Sequence, residues 1–139
     1  MTVVEASVVV KWFVAEKGHE AAIEASQQRD LAAPDRLLLE VANVLARKLK
    51  RGDIGADQAS AAVGKLPALI DQVVPSTMIL DRAFDLAVRL DHSVYDCAYL
   101  ACALHLDTEL LTADARFADK ARRSGFAPRI RDLGEHSTS

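Results

Sequence analysis

"SVYDCAYLACALHLDTELLTAD" (93–114) decides the fold class. From Ser93 to Leu106 it is apolar at nearly every position and too long for a strand, which predicts a helix buried all round. After it, "ELLTAD" (109–114) reads as a short apolar strand running into a turn. A buried helix feeding a buried strand is a piece of an α/β domain. Two acids sit at its joints, Asp96 in the first turn of the helix and Asp114 just past the strand. Burying an unpaired carboxylate costs several kcal/mol, so Asp96 among apolar neighbours requires an explanation.

The alternation continues in both directions. Upstream, "TVVE" (2–5) reads as a buried strand that "SVVVKWFVAE" follows with hardly a break. Lys17–Arg29 reads as a polar helix and "LAAP" (31–34) as a small strand. Leu38, Val41, Ala42, Leu45 and Leu49 recur at helical spacing within 37–51, where Gly52 stops them. Ala56–Leu66 is predicted helical and ended by Pro67, "DQVVPS" (71–76) is a brief strand, and Met78–Leu90 is again helical. Downstream, Ala115–Ser124 is predicted as a helix stopped by Gly125, and "PRIRDL" (128–133) as a last strand. Short apolar strands between helices predict one domain over 1–133 with a parallel sheet covered on both faces, and a frayed tail at 134–139.

Composition narrows the class. Of 139 residues, half are hydrophobic, enough for an ordinary core without staples. Cys97 and Cys102 lie five apart, about 140° around a helix, so they neither bridge nor share a metal. The four histidines form no close pair at ligand spacing, and no CxxC pair exists, which argues against structural zinc. Glu5 and Lys11 interrupt the apolar N-terminus, and no basic stretch precedes it, unlike an export signal. No stretch approaches the ~20 apolar residues that span a bilayer, so a cytoplasmic protein with no membrane partner is expected. A net charge of −3 excludes a general polyanion binder. Cations nevertheless cluster at Arg47, Lys48, Lys50 and Arg51 and from Arg116 to Arg131, which permits a nucleic-acid substrate.

Four acids fall at strand ends and helix starts: Glu5, Glu40, Asp96 and Asp114. Ligands of open parallel sheets gather at that rim. Each acid also has a local reading. Ser93 and Asp96 form a capping-box pattern, Glu40 complements a helix dipole, and Asp114 is a good N-cap. Glu5 resists such a reading, because strand ends in a core rarely carry charge. If the four converge, their repulsion calls for a cation, and an oxygen-only donor set suits Mg²⁺, with Mn²⁺ as substitute. Such ions favour phosphate chemistry, which makes phosphodiester hydrolysis the natural reaction.

The segments "VVEASVVVKWF", "LLLEVANVL", "SVYDCAYLACAL" and "LLTADARF" resemble, in order and at the expected spacing, the four signature segments of PIN-domain ribonucleases, and most closely VapC toxins of type II toxin–antitoxin (VapBC) pairs. The resemblance runs from about residue 3 to 133. It implies a three-layer α/β/α sandwich with a mostly parallel central sheet, and a Mg²⁺-dependent endoribonuclease. Carried across, Glu5, Glu40, Asp96 and Asp114 are the catalytic acids. Glu5, Asp96 and Asp114 bind metal, while Glu40 orients the attacking water or holds a second ion. Ser7 and Thr112 match supporting hydroxyl positions. The resemblance also implies a homodimer, a VapB-type antitoxin and a higher assembly with it. This chain has Glu5 where the family pattern has aspartate, so a catalytically weakened module that binds RNA or antitoxin is the alternative.

Other residues have simpler expectations. Trp12 and Phe13 read as core, Tyr99 as a core tyrosine with a bonded hydroxyl, and Tyr95 as its neighbour flanking the Asp96 turn. Arg47 and Arg51 share the Glu40 stripe, and Arg116 lies just beyond Asp114, so these three are the candidate RNA contacts. A phosphoryl-receiver domain also clusters acids around Mg²⁺, but "DQVVPS" ends without the acceptor acid it needs.

Overall fold

In the computed structural model, which describes residues 1–27 and 30–134, five strands form one parallel sheet. They are β1 (Thr2–Val4), β2 (Leu31–Pro34), β3 (Gln72–Val74), β4 (Glu109–Thr112) and β5 (Ile130–Asp132). Their order is β3-β2-β1-β4-β5. The register sets Val3 beside Ala32 and Leu110, with Ala33 beside Val73 and Leu111 beside Arg131. Seven α-helices connect them: α1 (Ala6–Phe13), α2 (His19–Ser26), α3 (Arg36–Lys50), α4 (Ala56–Leu69), α5 (Leu80–Leu90), α6 (Val94–His105) and α7 (Ala115–Ala121). From β1 the chain steps one way to β2 and β3, then returns to β4 and β5 on the other side. Right-handed crossovers therefore put α1–α4 on one face of the sheet and α5–α7 on the other. This is the expected three-layer α/β/α architecture.

The helices follow the sequence pattern. Leu37, Val41 and Leu45 of α3 are buried at i, i+4 and i+8, facing the sheet. Helix α6 packs on β1, β2 and β4 while α5 covers its outer side. Being sandwiched explains why Cys97 and Tyr99–Ala103 are all buried. Burial pushes the Cys97 thiol up to about 11 and Cys102 to about 12, so both stay protonated at neutral pH. No described helix is long and apolar enough to cross a membrane.

Several boundaries differ from the pattern. Pro67 does not end α4, which runs on to Leu69. A proline this close to the C-terminus removes one intrahelical bond, while Leu66 and Ile70 on either side are buried. Helix α5 starts at Leu80 because residues Ser76–Met78 form a 3₁₀ turn, with Asp35 accepting from the Ser76 N–H and hydroxyl. Helix α7 stops at Ala121 and loosens into a wider turn through Phe126, within which Gly125 takes φ +97°. The predicted helix end at residues 28–29 and the tail from 135 onward lie outside the described residues.

Candidate metal centre and active site

The strand order reverses between β1 and β4, so the crossovers leaving these neighbours diverge to opposite faces and open a crevice at their carboxyl ends. Glu5 follows β1 and Asp114 follows β4. Glu5 is 5 % exposed. Its Oε1 accepts from Ser7 Oγ at 2.6 Å and from Thr112 Oγ1 at 3.1 Å. Those hydroxyls accept in turn from the N–H groups of Ala113 (3.1 Å) and Asp114 (3.0 Å), so the backbone after β4 orients the carboxylate after β1. The other oxygen, Oε2, is buried and has no hydrogen-bond partner. Desolvation pushes the Glu5 carboxyl up to about 7; the Ser7 and Thr112 bonds oppose this, and the charges of Asp96 and Asp114 add to it.

Asp96 and Asp114 each serve a helix and face the crevice. The Asp96 N–H donates to Ser93 Oγ at 3.1 Å, half of a capping box, but its carboxylate turns to His92, with Nε2 and Oδ2 2.6 Å apart. Asp114 caps α7, Oδ1 accepting from the Phe117 N–H at 3.1 Å. Donor atoms of His92, Asp96 and Asp114 all lie within 4.8 Å of one another. His92 was not legible as part of the site. It is one helical turn from Asp96, a spacing that a search for histidine or cysteine pairs overlooks. Among the described residues this cluster takes in two of the four expected acids, with Glu5 and Glu40 outside it, and the imidazole enters as the partner of Asp96. Lys120 Nζ lies 3.4 Å from His92 Nδ1 and donates to the Asp91 carbonyl at 2.6 Å. An ammonium only donates, so Nδ1 accepts and Nε2 carries the proton to Asp96.

Glu40 enters from α3. Its Oε1 accepts from Tyr99 Oη at 3.2 Å and from Arg36 Nε at 3.0 Å. Desolvation, with the charges of Glu40 and Glu5, holds the Tyr99 hydroxyl far above its usual range, so it remains a donor. Arg36 also lies over the Tyr95 ring, 3.7 Å from its centre. Glu5 and Glu40 line a common cleft of about 370 Å³ with Ser7, Lys11, Glu16 and Lys48. Arg47, Arg51 and Arg116 are exposed and stand outside this lining; Arg51 pairs with Asp53 at 3.5 Å. Trp12 and Phe13 are partly buried against the core, and Trp12 Nε1 donates to Ser26 Oγ at 3.1 Å.

One charged atom tests whether a cation fits here. A carboxylate oxygen that is buried, unpartnered and within the field of two further acids is costly alone, and a divalent ion would satisfy it. The donor set fits such an ion.

The PIN domain profile matches residues 2–123. This chain belongs to the PIN domain family. Among relatives of this PIN domain, Ribonuclease VapC3 of Pyrobaculum aerophilum is 36% identical over 121 residues, 85% of this chain and 92% of that one. Ribonuclease VapC1 of Mycobacterium tuberculosis is 40% identical over 88 residues, 62% of this chain and 64% of that protein. The fold of this PIN domain is also that of two solved structures, each 20% identical. PAE2754 from Pyrobaculum aerophilum has a TM-score of 0.69 and covers 99% of this chain and 90% of its own. VapC20 of Mycobacterium tuberculosis, described as a sarcin-ricin loop cleaving toxin, has a TM-score of 0.67 and covers 86% of this chain and 94% of its own.

Proposed function

We propose that this PIN domain is a divalent-metal-dependent endoribonuclease and the toxin of a VapBC-type pair. The observation that carries the reading is the buried, unpartnered Glu5 Oε2 on a carboxyl that feels the charges of Asp96 and Asp114 at the sheet's switch point. Glu5, Asp96 and Asp114 would hold Mg²⁺ or Mn²⁺, with Glu40 serving the attacking water or a second ion. A bound ion supplies activation of water and neutralisation of charge at the phosphate. The protein's own contribution is positioning. Ser7 and Thr112 fix one oxygen of Glu5 and leave the other for the ion. His92 holds Asp96, and the Tyr99 hydroxyl and Arg36 hold Glu40 at the cleft wall. Arg116, two residues beyond Asp114, and Arg47 and Arg51, at the end of α3, would meet an RNA strand lying outside the cleft.

The same reading implies an antitoxin of VapB type that sets a basic side chain against the acids in place of the metal. It also implies self-association. Leu80, Phe84 and Val88 form an exposed i, i+4, i+8 apolar stripe on α5 beside a groove of about 770 Å³ that includes Leu39 and Tyr95. A second copy would cover that stripe.

Cleavage of RNA in Mg²⁺ or Mn²⁺, abolished by EDTA and by Asp96→Asn, is the expected result. Cleavage that survives Asp96→Asn sinks the assignment. Replacing Glu5 by aspartate separates the weakened-module reading: a large gain in cleavage supports it, and little change means that glutamate already serves.

A further inference from the structure

Two lysines in the cleft pair with neither of the candidate catalytic acids that line it. Lys11 and Lys48 side chains are only 19% and 16% exposed, unusual for lysine. Among the described residues their ion pairs run to neither Glu5 nor Glu40 but to Glu16: Lys11 Nζ to Oε1 at 3.3 Å, Lys48 Nζ to Oε2 at 3.1 Å. One carboxylate therefore serves two ammoniums and leaves a unit of positive charge beside the metal centre. Neutralising the acids does not explain this, since Glu40 already has Arg36 and Tyr99.

The seat is built rather than incidental. Gly18 takes φ +89°, and a Cβ there would lie 3.2 Å from Lys11 Cδ, so the lysine stem runs against the glycine. The Lys11 ammonium is fixed further by the Lys17 carbonyl at 2.8 Å. Lys48 comes from the last turn of α3, two helical turns beyond Glu40. Glu16 by contrast lies in the connection between α1 and α2, and its side chain is more exposed than either lysine. Desolvation pushes its carboxyl up, but the bonds from Lys48 and Lys11 outweigh this and keep it below the usual range, so it is an anion at neutral pH.

We propose that Lys11 and Lys48 are positioning residues that seat a backbone phosphate of the RNA strand next to the scissile one, and that Glu16 fills this seat until RNA displaces it. The inference rests on the ribonuclease reading. A phosphodiester, like the Glu16 carboxylate, offers two anionic oxygens from one centre, one for each ammonium. Glu5 and Ala113, the residue before Asp114, line the same cleft as the two lysines, so a strand whose scissile phosphate meets Glu5 and Asp114 would carry a neighbouring phosphate towards them.

The test is binding of a fluorescein-labelled, mixed-sequence 20-nucleotide single-stranded RNA in EDTA, followed by anisotropy from low to high salt. Lys11→Gln and Lys48→Gln should each weaken binding by about tenfold. Each should also flatten the log affinity–log salt slope by about 0.7, and the arginine variants should restore both. Glu16→Gln should tighten binding severalfold. Lysine variants with wild-type affinity and slope would overturn the proposal, as would Glu16→Gln weakening binding like the lysine variants. Cleavage in Mn²⁺ is read separately. Wild-type cleavage with unaffected RNA binding in the lysine variants removes the phosphate seat alone. Absent cleavage with lysine-dependent RNA binding removes the ribonuclease reading and leaves the seat.

Discussion

Glu5 is where burial and charge collide, and its protonation should govern how the metal-free protein responds to pH. Its carboxyl titrates near 7 when folded and near 4.5 when unfolded. The folded state holds the proton more tightly, so stability is full below pH 4.5 and falls as pH rises through 7. The loss is on the order of 3 kcal/mol at most. Thermal melts in EDTA should therefore decline between pH 5 and 8, Glu5→Gln should flatten the decline, and Mg²⁺ should raise the melting temperature at pH 8. A wild-type profile as flat as that of Glu5→Gln would refute this. His92 acts at the same scale. Removing a partner that orients a metal ligand costs about 10–100-fold in affinity, so His92→Ala should weaken Mn²⁺ binding by that factor in calorimetry. Glu5, Asp96 and Asp114 were legible as candidates because each stands at an element boundary, whereas Glu40 lies one turn inside α3 rather than in its first turn. His92 was not legible, although its partner Asp96 is four residues away, because a lone histidine before a helix carries no signal; nor were Lys11 and Lys48, whose shared partner Glu16 reaches Lys48 only through the fold.

At the scale of elements, the start of α6 does two tasks with one turn. Ser93 caps the helix, and the same turn aims Asp96 at the crevice. Ser93→Ala should cost about 1 kcal/mol in urea unfolding, with the slope against denaturant unchanged. A neutral result would mean that packing alone holds the turn. Helix α6 was legible in its extent, but it is not buried all round: Cys97 and Tyr99–Ala103 are buried, while the apolar Val94 and Tyr95 of its first turn are exposed. The extent of α4 was not legible, because Pro67 punctuates a sequence more strongly than it punctuates a final turn already flanked by buried side chains. The start of α5 was hidden similarly: the Asp35 carboxylate, far away in sequence, organises the 3₁₀ turn before it.

For the whole molecule, the α5 stripe has no cover among the described residues. Phe84 is 59% and Val88 68% exposed, on a helix whose other face is already buried. Phe84→Glu should convert a dimer to a monomer in sedimentation velocity without lowering the melting temperature of the subunit. A wild-type monomer at micromolar concentration would exclude the α5 contact. The order of strands and helices, and the candidate acids, came from the amino-acid pattern because apolar periodicity and chain punctuation are local. How near those acids come to one another was decided only by topology. Placing β1 against β4 reverses the crossover direction, and that reversal brings Glu5 within the field of Asp96 and Asp114. The hydrogen-bond partners of each acid, and the lysines across the cleft, depend on side chains up to 107 residues apart in the case of Glu5 and Thr112. No local pattern encodes such a contact, because its energy exists only once the sheet has closed.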